Sequence, residues 1–468
     1  MNETSPIARS NVSPSPGLAV VVLLCVTMFA ACLAYGGVDT GMLAALSTLS
    51  AVTVLVWAWT AVRAGTLDLK TSPLQLPLVA LAAIGIVQLL PLGDAGIAAG
   101  TIAVEPAAAL SFEPYATRLF LARLVLYIIF FAAALTWVNS ERRLKAVAAA
   151  IVAFGAAIAF FGILQWLAKP AAIYGLRASP QAIPFGPYVN QHHFAALMEM
   201  TSGVALGLLF GGALHRSRVP LLVAAVIVMG TAIVMTGSRG GMISFIGVAA
   251  FGIAGGLMTR RRHGRAEASR TSSGRLLAVA GGIALVLLIA GLAVFLGGAE
   301  SLLRGTGLTG GTGDVTSGRG HFWRTGLKIF LDHPLLGTGL DAFGTAFTRY
   351  DTTSGAFRVE QAHNDYLQIL CDAGVAGFVC VAAFIYLLFS AGFRTIVNAG
   401  SKLRASVAVG ALAGCLGIAI HSFFDFPLRT PANAYFFLML ATLAVARVAT
   451  PDKDGRHRRG HSTGAAAY

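Results

Sequence analysis

Two polar stretches interrupt an otherwise apolar chain: Gln361-Ala362-His363-Asn364-Asp365-Tyr366-Leu367-Gln368, and before it Ser317-Gly318-Arg319-Gly320-His321-Phe322-Trp323-Arg324. An imidazole titrates near neutral pH, so an oriented His363 can take a proton from a hydroxyl. Guanidinium groups bind phosphate oxygens two at a time. Arg319 and Arg324 are therefore candidates for a phosphorylated ligand, as are Arg177 and the Arg239 of Thr236-Gly237-Ser238-Arg239-Gly240-Gly241. Trp323, Asn364, Asp365 and Tyr366 add aromatic and hydrogen-bonding groups beside them. Each pattern also has a plainer reading: a histidine bonded to backbone, a packing helix with a surface arginine, or a hairpin turn whose arginine snorkels.

Two helices and a turn should position these groups. Ser317 can cap a helix running to about Leu331 and stopped by Asp332-His333-Pro334. Arg319, Phe322, Trp323, Gly326 and Phe330 would then share one face. A second helix is expected from near Gln361, with His363, Tyr366, Leu367 and Leu370 on one stripe and Asn364, Gln368 and Asp372 on another. The glycines around Arg239 permit a tight turn between two apolar spans. Weaker features are Asn190-Gln191-His192-His193 with Glu199 beyond it, and His421 to Arg429 with Asp425. An acid inside a span is a functional candidate, though helix-to-helix pairing explains it equally. The Gly305, Gly307, Gly310 spacing matches a dinucleotide fingerprint by letters only, and Asp452-Lys453-Asp454 lies in a polar tail.

Composition sets the frame. The chain is 56% hydrophobic and 12% charged, with mean hydropathy +0.75. Soluble domains carry about 25% charged residues, so this is a membrane protein. The net charge of +14 falls mostly in short loops, a pattern of topology and not of nucleic-acid binding. Five cysteines without CxxC spacing suggest neither a disulfide framework nor a zinc site. About twelve helical spans are expected, at 17–36, 42–62, 75–92, 118–138, 146–168, 193–214, 219–236, 241–258, 277–297, 373–393, 405–423 and 431–448. The fold class is thus an all-α polytopic membrane protein with a large loop containing short helices between spans nine and ten.

Lysine and arginine concentrate in alternate loops, including Arg142, Arg143 and Lys145, then Arg260, Arg261 and Arg262, then Arg394, Lys402 and Arg404. By the positive-inside rule both termini are cytoplasmic and the long loop lies outside. The expected organisation is a cytoplasmic tail at 1–16, nine spans over 17–297, an outer loop at 298–372, three spans over 373–450, and a basic cytoplasmic tail at 451–468.

Taken together, these residues resemble the O-antigen ligase / O-antigen polymerase superfamily of bacterial integral-membrane glycosyltransferases. The resemblance rests on Gly237-Ser238-Arg239-Gly240-Gly241, on Gly318-Arg319 through Trp323 with His333-Pro334-Leu335-Leu336-Gly337-Thr338-Gly339, and on His363-Asn364-Asp365-Tyr366-Leu367-Gln368 with Gly374 and Gly377. It covers about 170–430. It implies a GT-C-like helical fold in the inner membrane with a periplasmic active site. The implied reaction is inverting, metal-independent and cofactor-free transfer of an undecaprenyl-diphosphate-linked glycan to an acceptor hydroxyl. His363 would handle the acceptor proton, Arg239 and Arg319 the diphosphate, with Arg177, Arg324, Asn364, Asp365, Tyr366 and Trp323 in substrate binding. Lipid A core is the ligase acceptor. A lipid-linked repeat unit (polymerase) and a protein (O-oligosaccharyltransferase) remain alternatives, with a glycan-lipid transporter further off. Membrane lipids are expected partners and nucleic acid is not.

Overall fold

A computed structural model describes residues 16–92, 109–180, 182–263, 288–289, 291–296, 319–352 and 358–448. It is all-helical, with no strand among the described residues beyond isolated bridges. The helices are α1 (Pro16–Leu33), α2 (Thr40–Ala64), α3 (Gln75–Gln88), α4 (Pro114–Trp137), α5 (Glu141–Ala168), α6 (Gln191–Gly211), α7 (Val219–Met235) and α8 (Arg239–His263). They continue as α9 (Arg319–Asp332), α10 (Phe343–Tyr350), α11 (Asp365–Asn398), α12 (Lys402–His421) and α13 (Pro431–Val445). Among the described residues, eight helices are long and apolar enough to cross a membrane, and α1, α3 and α13 are shorter apolar helices. The expected ninth span, 277–297, lies mostly outside the described residues. Its described pieces are helical, and Ile289 packs against Gly230 of α7. Ser317, the expected cap of α9, also lies outside them, as do the Gly305 motif, Asp452-Lys453-Asp454 and most of both tails.

Caps fix several boundaries. Ser140, Asn190 and Ser401 each accept a first-turn amide, of Arg143, His192 and Arg404 respectively. One expectation is corrected here. The second loop helix begins at Asp365, not near Gln361, because Asn364 is its cap and accepts from the amides of Tyr366 and Leu367 at 3.0 Å each. His363 precedes the helix in the left-handed region, φ +51°. It therefore shares no helical stripe with Tyr366, Leu367 and Leu370.

The core is the contact between α6 and α12, where small residues let two backbones touch. A Cβ on Gly203 would lie 2.6 Å from the Gly414 nitrogen, and one on Gly207 would lie 2.4 Å from Gly410. Dispersion and close packing drive such crossings where no hydrophobic effect operates between helices.

α11 is broken at Gly374 (φ +61°, ψ −161°), and the break is filled by the loop after α9. Thr338 and Gly339 donate to the carbonyls of Cys371 and Asp372, at 2.9 and 3.0 Å. Val375 and Ala376 donate to those of Pro334 and Leu335, at 2.8 and 3.2 Å. Backbone groups released by the kink are thereby satisfied, as a low-dielectric setting requires. The expected start of the tenth span, 373, falls at this break.

The bundle has two chemically different ends. At one, His263 of α8 meets the Ala399 carbonyl, Glu141 meets Ser401, and Arg404 caps the carbonyls of Leu443, Ala444 and Ala446. The starts of α6, α8, α9, α11 and α13 and the end of α12 meet at the other. Residues 263 and 319 thus lie at opposite ends.

Candidate functional site

Three of the sequence segments singled out for chemistry, those of Arg239, Arg319 and His363, converge on one short turn, 421–426, between α12 and α13. His363 places Nδ1 3.0 Å from Oδ1 of Asp425. Its ring lies parallel to Phe322 at 6.0 Å and edge-on to Phe426 at 4.9 Å. Arg319, the first residue of α9, donates to the Phe424 carbonyl. Arg239 opens α8, and the next residue, Gly240, lies so close to Phe424 and His421 that a Cβ would be 2.9 Å from the Phe424 Cβ. Ser238 caps α8 by accepting the Gly241 amide at 3.1 Å and also bonds His192 Nδ1 at 2.9 Å.

The geometry defines what His363 can do. The His363 side chain is 30% exposed, whereas Asp425 is 2% exposed. With Nδ1 committed to Asp425, Nε2 is the nitrogen left to exchange a proton with a ligand. Burial works to raise the Asp425 carboxyl, but the His363 hydrogen bond and nearby imidazoles outweigh it and hold it well below the ordinary carboxylate range. Asp425 thus remains an anion that orients the ring. The positive φ of His363 is a strained setting for a residue with a side chain, maintained by these contacts.

The neighbouring residues mainly build the loop. Trp323 Nε1 donates to the Ala362 carbonyl at 3.1 Å, and the Ala362 amide donates to Gln368 at 2.6 Å. Asn364 donates to the Phe423 carbonyl at 3.2 Å. The Asp365 carboxylate accepts from Ser422 at 2.9 Å, and Tyr366 donates to the Ala419 carbonyl at 2.7 Å. These three residues therefore clamp the start of α11 to the end of α12. Arg324 lies on the exposed face of α9 with Leu327 and Leu331. Arg177 is bonded to Asp39 at 2.7 Å and sits over Tyr35, so its partners belong to the α1–α2 turn.

Sequence reasoning gave Asp425 and Arg429 no leading part. Arg429 bonds Asp341 at 2.5 Å and also Asp372. Burial disfavours its charge, but Asp372 and Asp341 more than offset that and hold the guanidinium above its ordinary value. It ties the 425–430 turn to α11 and to the loop before α10, and is saturated by carboxylates. On the far side of α12 from Arg239, an apolar cavity of about 210 Å³ lies among α3, α4, α11, α12 and α13. Among the described residues, no three His, Cys, Asp or Glu side chains converge as a metal would need.

A helical membrane bundle with a carboxylate-held histidine and arginines gathered at one end is the class of protein defined here. Residues 224–382 match the family model described as O-antigen ligase. The match covers about a third of the 468 residues. It contains Arg239, Arg319 and His363, and ends before the 421–426 turn on which all three segments meet. No curated protein matches the chain.

Proposed function

We propose that the protein transfers a glycan from an undecaprenyl-diphosphate carrier to an acceptor hydroxyl at the outer face of the bacterial inner membrane, as an O-antigen ligase does. The observation that carries this reading is the His363–Asp425 pair, 3.0 Å apart, on the turn that also meets Arg319 and the start of α8. A hydroxyl attacking an anomeric carbon must lose a proton, and the departing diphosphate gains charge. His363 Nε2 takes the proton. Arg239 and Arg319 hold the diphosphate, with Arg177 and Arg324 as outlying cations. Trp323, Asn364, Asp365 and Tyr366 keep the histidine loop in place.

The one-sided gathering of basic residues at the opposite end supports a topology with cytoplasmic termini, about twelve spans and a periplasmic site. In this topology 298–372 is the outer catalytic loop. The test is glycan transfer in cells and release of undecaprenyl diphosphate by purified protein. Loss of both activities in Arg239→Ala and His363→Ala is expected; intact transfer in both would refute the reading. Supplying lipid A core, a second lipid-linked repeat unit or a pilin-like protein as acceptor identifies the product.

A further inference from the structure

The bundle contains a buried acid–base pair that this mechanism does not use. Glu199 of α6 and His421 of α12 are 0% and 1% exposed, with Oε1 and Nδ1 2.8 Å apart. Glu199 Oε2 has no hydrogen-bond partner among the described residues and rests over Gly417. The glycine crossing of α6 and α12 creates the pair. Glu199 lies one turn before Gly203, and His421 lies about two turns after Gly414 on the approaching helix.

Packing does not explain such a pair. Burying a carboxylate and an imidazole costs several kcal/mol, and apolar residues of similar volume often stabilise a site equally well or better. Orientation does explain it. With Nδ1 held by Glu199, the opposite edge of the ring faces Gly240, where a Cβ would stand 3.2 Å from Cδ2 and 3.3 Å from Nε2. A side chain at 240 would collide with Phe424 and crowd the ring; glycine lets the ring sit directly against the start of α8. Gly240 directly follows Arg239, and His421 is four residues from Asp425, whose amide donates to its carbonyl at 3.0 Å. The two histidines thus flank one turn, each held at Nδ1 by its own carboxylate.

We infer that His421 is a further catalytic residue, donating a hydrogen bond from Nε2 to the diphosphate held at Arg239, and that Glu199 is its positioning residue. The Glu199 carboxylate balances the charge on the His421 ring, while His363 receives the acceptor proton on the other side of the reacting carbon. No proton needs to cross to the diphosphate, which leaves as an anion. This inference rests on the proposed glycan transfer.

The test uses full-length protein in proteoliposomes with an undecaprenyl-diphosphate-linked glycan as donor. Glu199→Gln keeps the volume and removes the charge. It should lower kcat by about 10- to 100-fold and leave KM for the donor within about twofold. The double variant Glu199→Met/His421→Phe supplies an apolar pair. It should stay folded by thermal unfolding in detergent and lose turnover. A folded double variant with wild-type kcat, or a Glu199→Gln enzyme with unchanged kcat, overturns the inference. An unfolded double variant assigns the pair to folding and overturns it as well. If Arg239→Ala and His363→Ala themselves retain transfer, the glycan-transfer reading fails first. If they abolish transfer while the Glu199 and His421 variants do not, only this inference fails.

Discussion

Gly337 and Gly374 each press against the backbone of the segment that carries the other. A Cβ on Gly337 would stand 2.4 Å from the carbonyl carbon of Asp372, and one on Gly374 would stand 2.4 Å from the carbonyl of Leu335. Both glycines also have positive φ. The stretch from His333 to Gly339 is thereby explained by structure: it is a plug for the break in α11.

Gly374→Ala should therefore cost more than an ordinary core change. Its φ/ψ region is nearly exclusive to glycine, and the added methyl meets fixed backbone. A loss of at least about 2–3 kcal/mol is expected. Thermal unfolding in detergent should show a lowered transition, and the folded fraction recovered from membranes should fall. A wild-type transition would mean that the loop and helix separate readily.

His363→Gln and Asp425→Asn should both reduce transfer, for different reasons. The first removes the base; the second leaves a ring whose orientation and charge are no longer held. Losses of about 10²–10⁴-fold follow general-base precedent. Comparable turnover in Asp425→Asn and wild type would show that Asp425 is not the orienting group.

Asp425 also gives an acid-stability signature. Its folded-state pKa lies below that of the unfolded chain. Its contribution is therefore present above the unfolded value, about 4, and is lost as pH falls from there toward the folded value. Wild-type stability should decline below about pH 4 more steeply than that of Asp425→Asn, in thermal unfolding across a pH series. Parallel declines would exclude the pair as a source of stability.

The arginines should separate into two groups. Arg239→Ala and Arg319→Ala should abolish transfer with stability little changed. Arg429→Ala leaves the buried Asp372 without its cation and Asp341 with only Arg123, 3.9 Å away, and about 3–5 kcal/mol of stability should go with it. Activity per folded molecule and the unfolding temperature, measured together, distinguish the two behaviours. A stable but inactive Arg429→Ala would instead make Arg429 a ligand-binding arginine.

Much of this arrangement could be read from the chain. Apolar runs located the helices, and the types and order of Arg239, Arg319 and His363 marked the segments that meet. Local chemistry misplaced the start of α11. Asn364 and Asp365 both suit a helix start, and the competing cap at Asn364 removes His363 from the helix. Asp425 was harder to weigh, because its value lies in contacts with residues some 60 to 230 positions away. Periodicity carries no such information. For the same reason the sequence shows Arg429 only as the end of the His421–Arg429 stretch, and its two carboxylate partners become evident only in the fold.

The 421–426 turn has a genetic consequence. Segments from α8, α9 and the loop before α11 each press on it, so substitutions at Gly240, Arg319 and His363 should be epistatic. Their combined effects should fall short of the product of the single effects, because each already disturbs the same small piece of backbone. A suppressor of any one of them is best sought within this turn, outside the 224–382 segment that matches the family model.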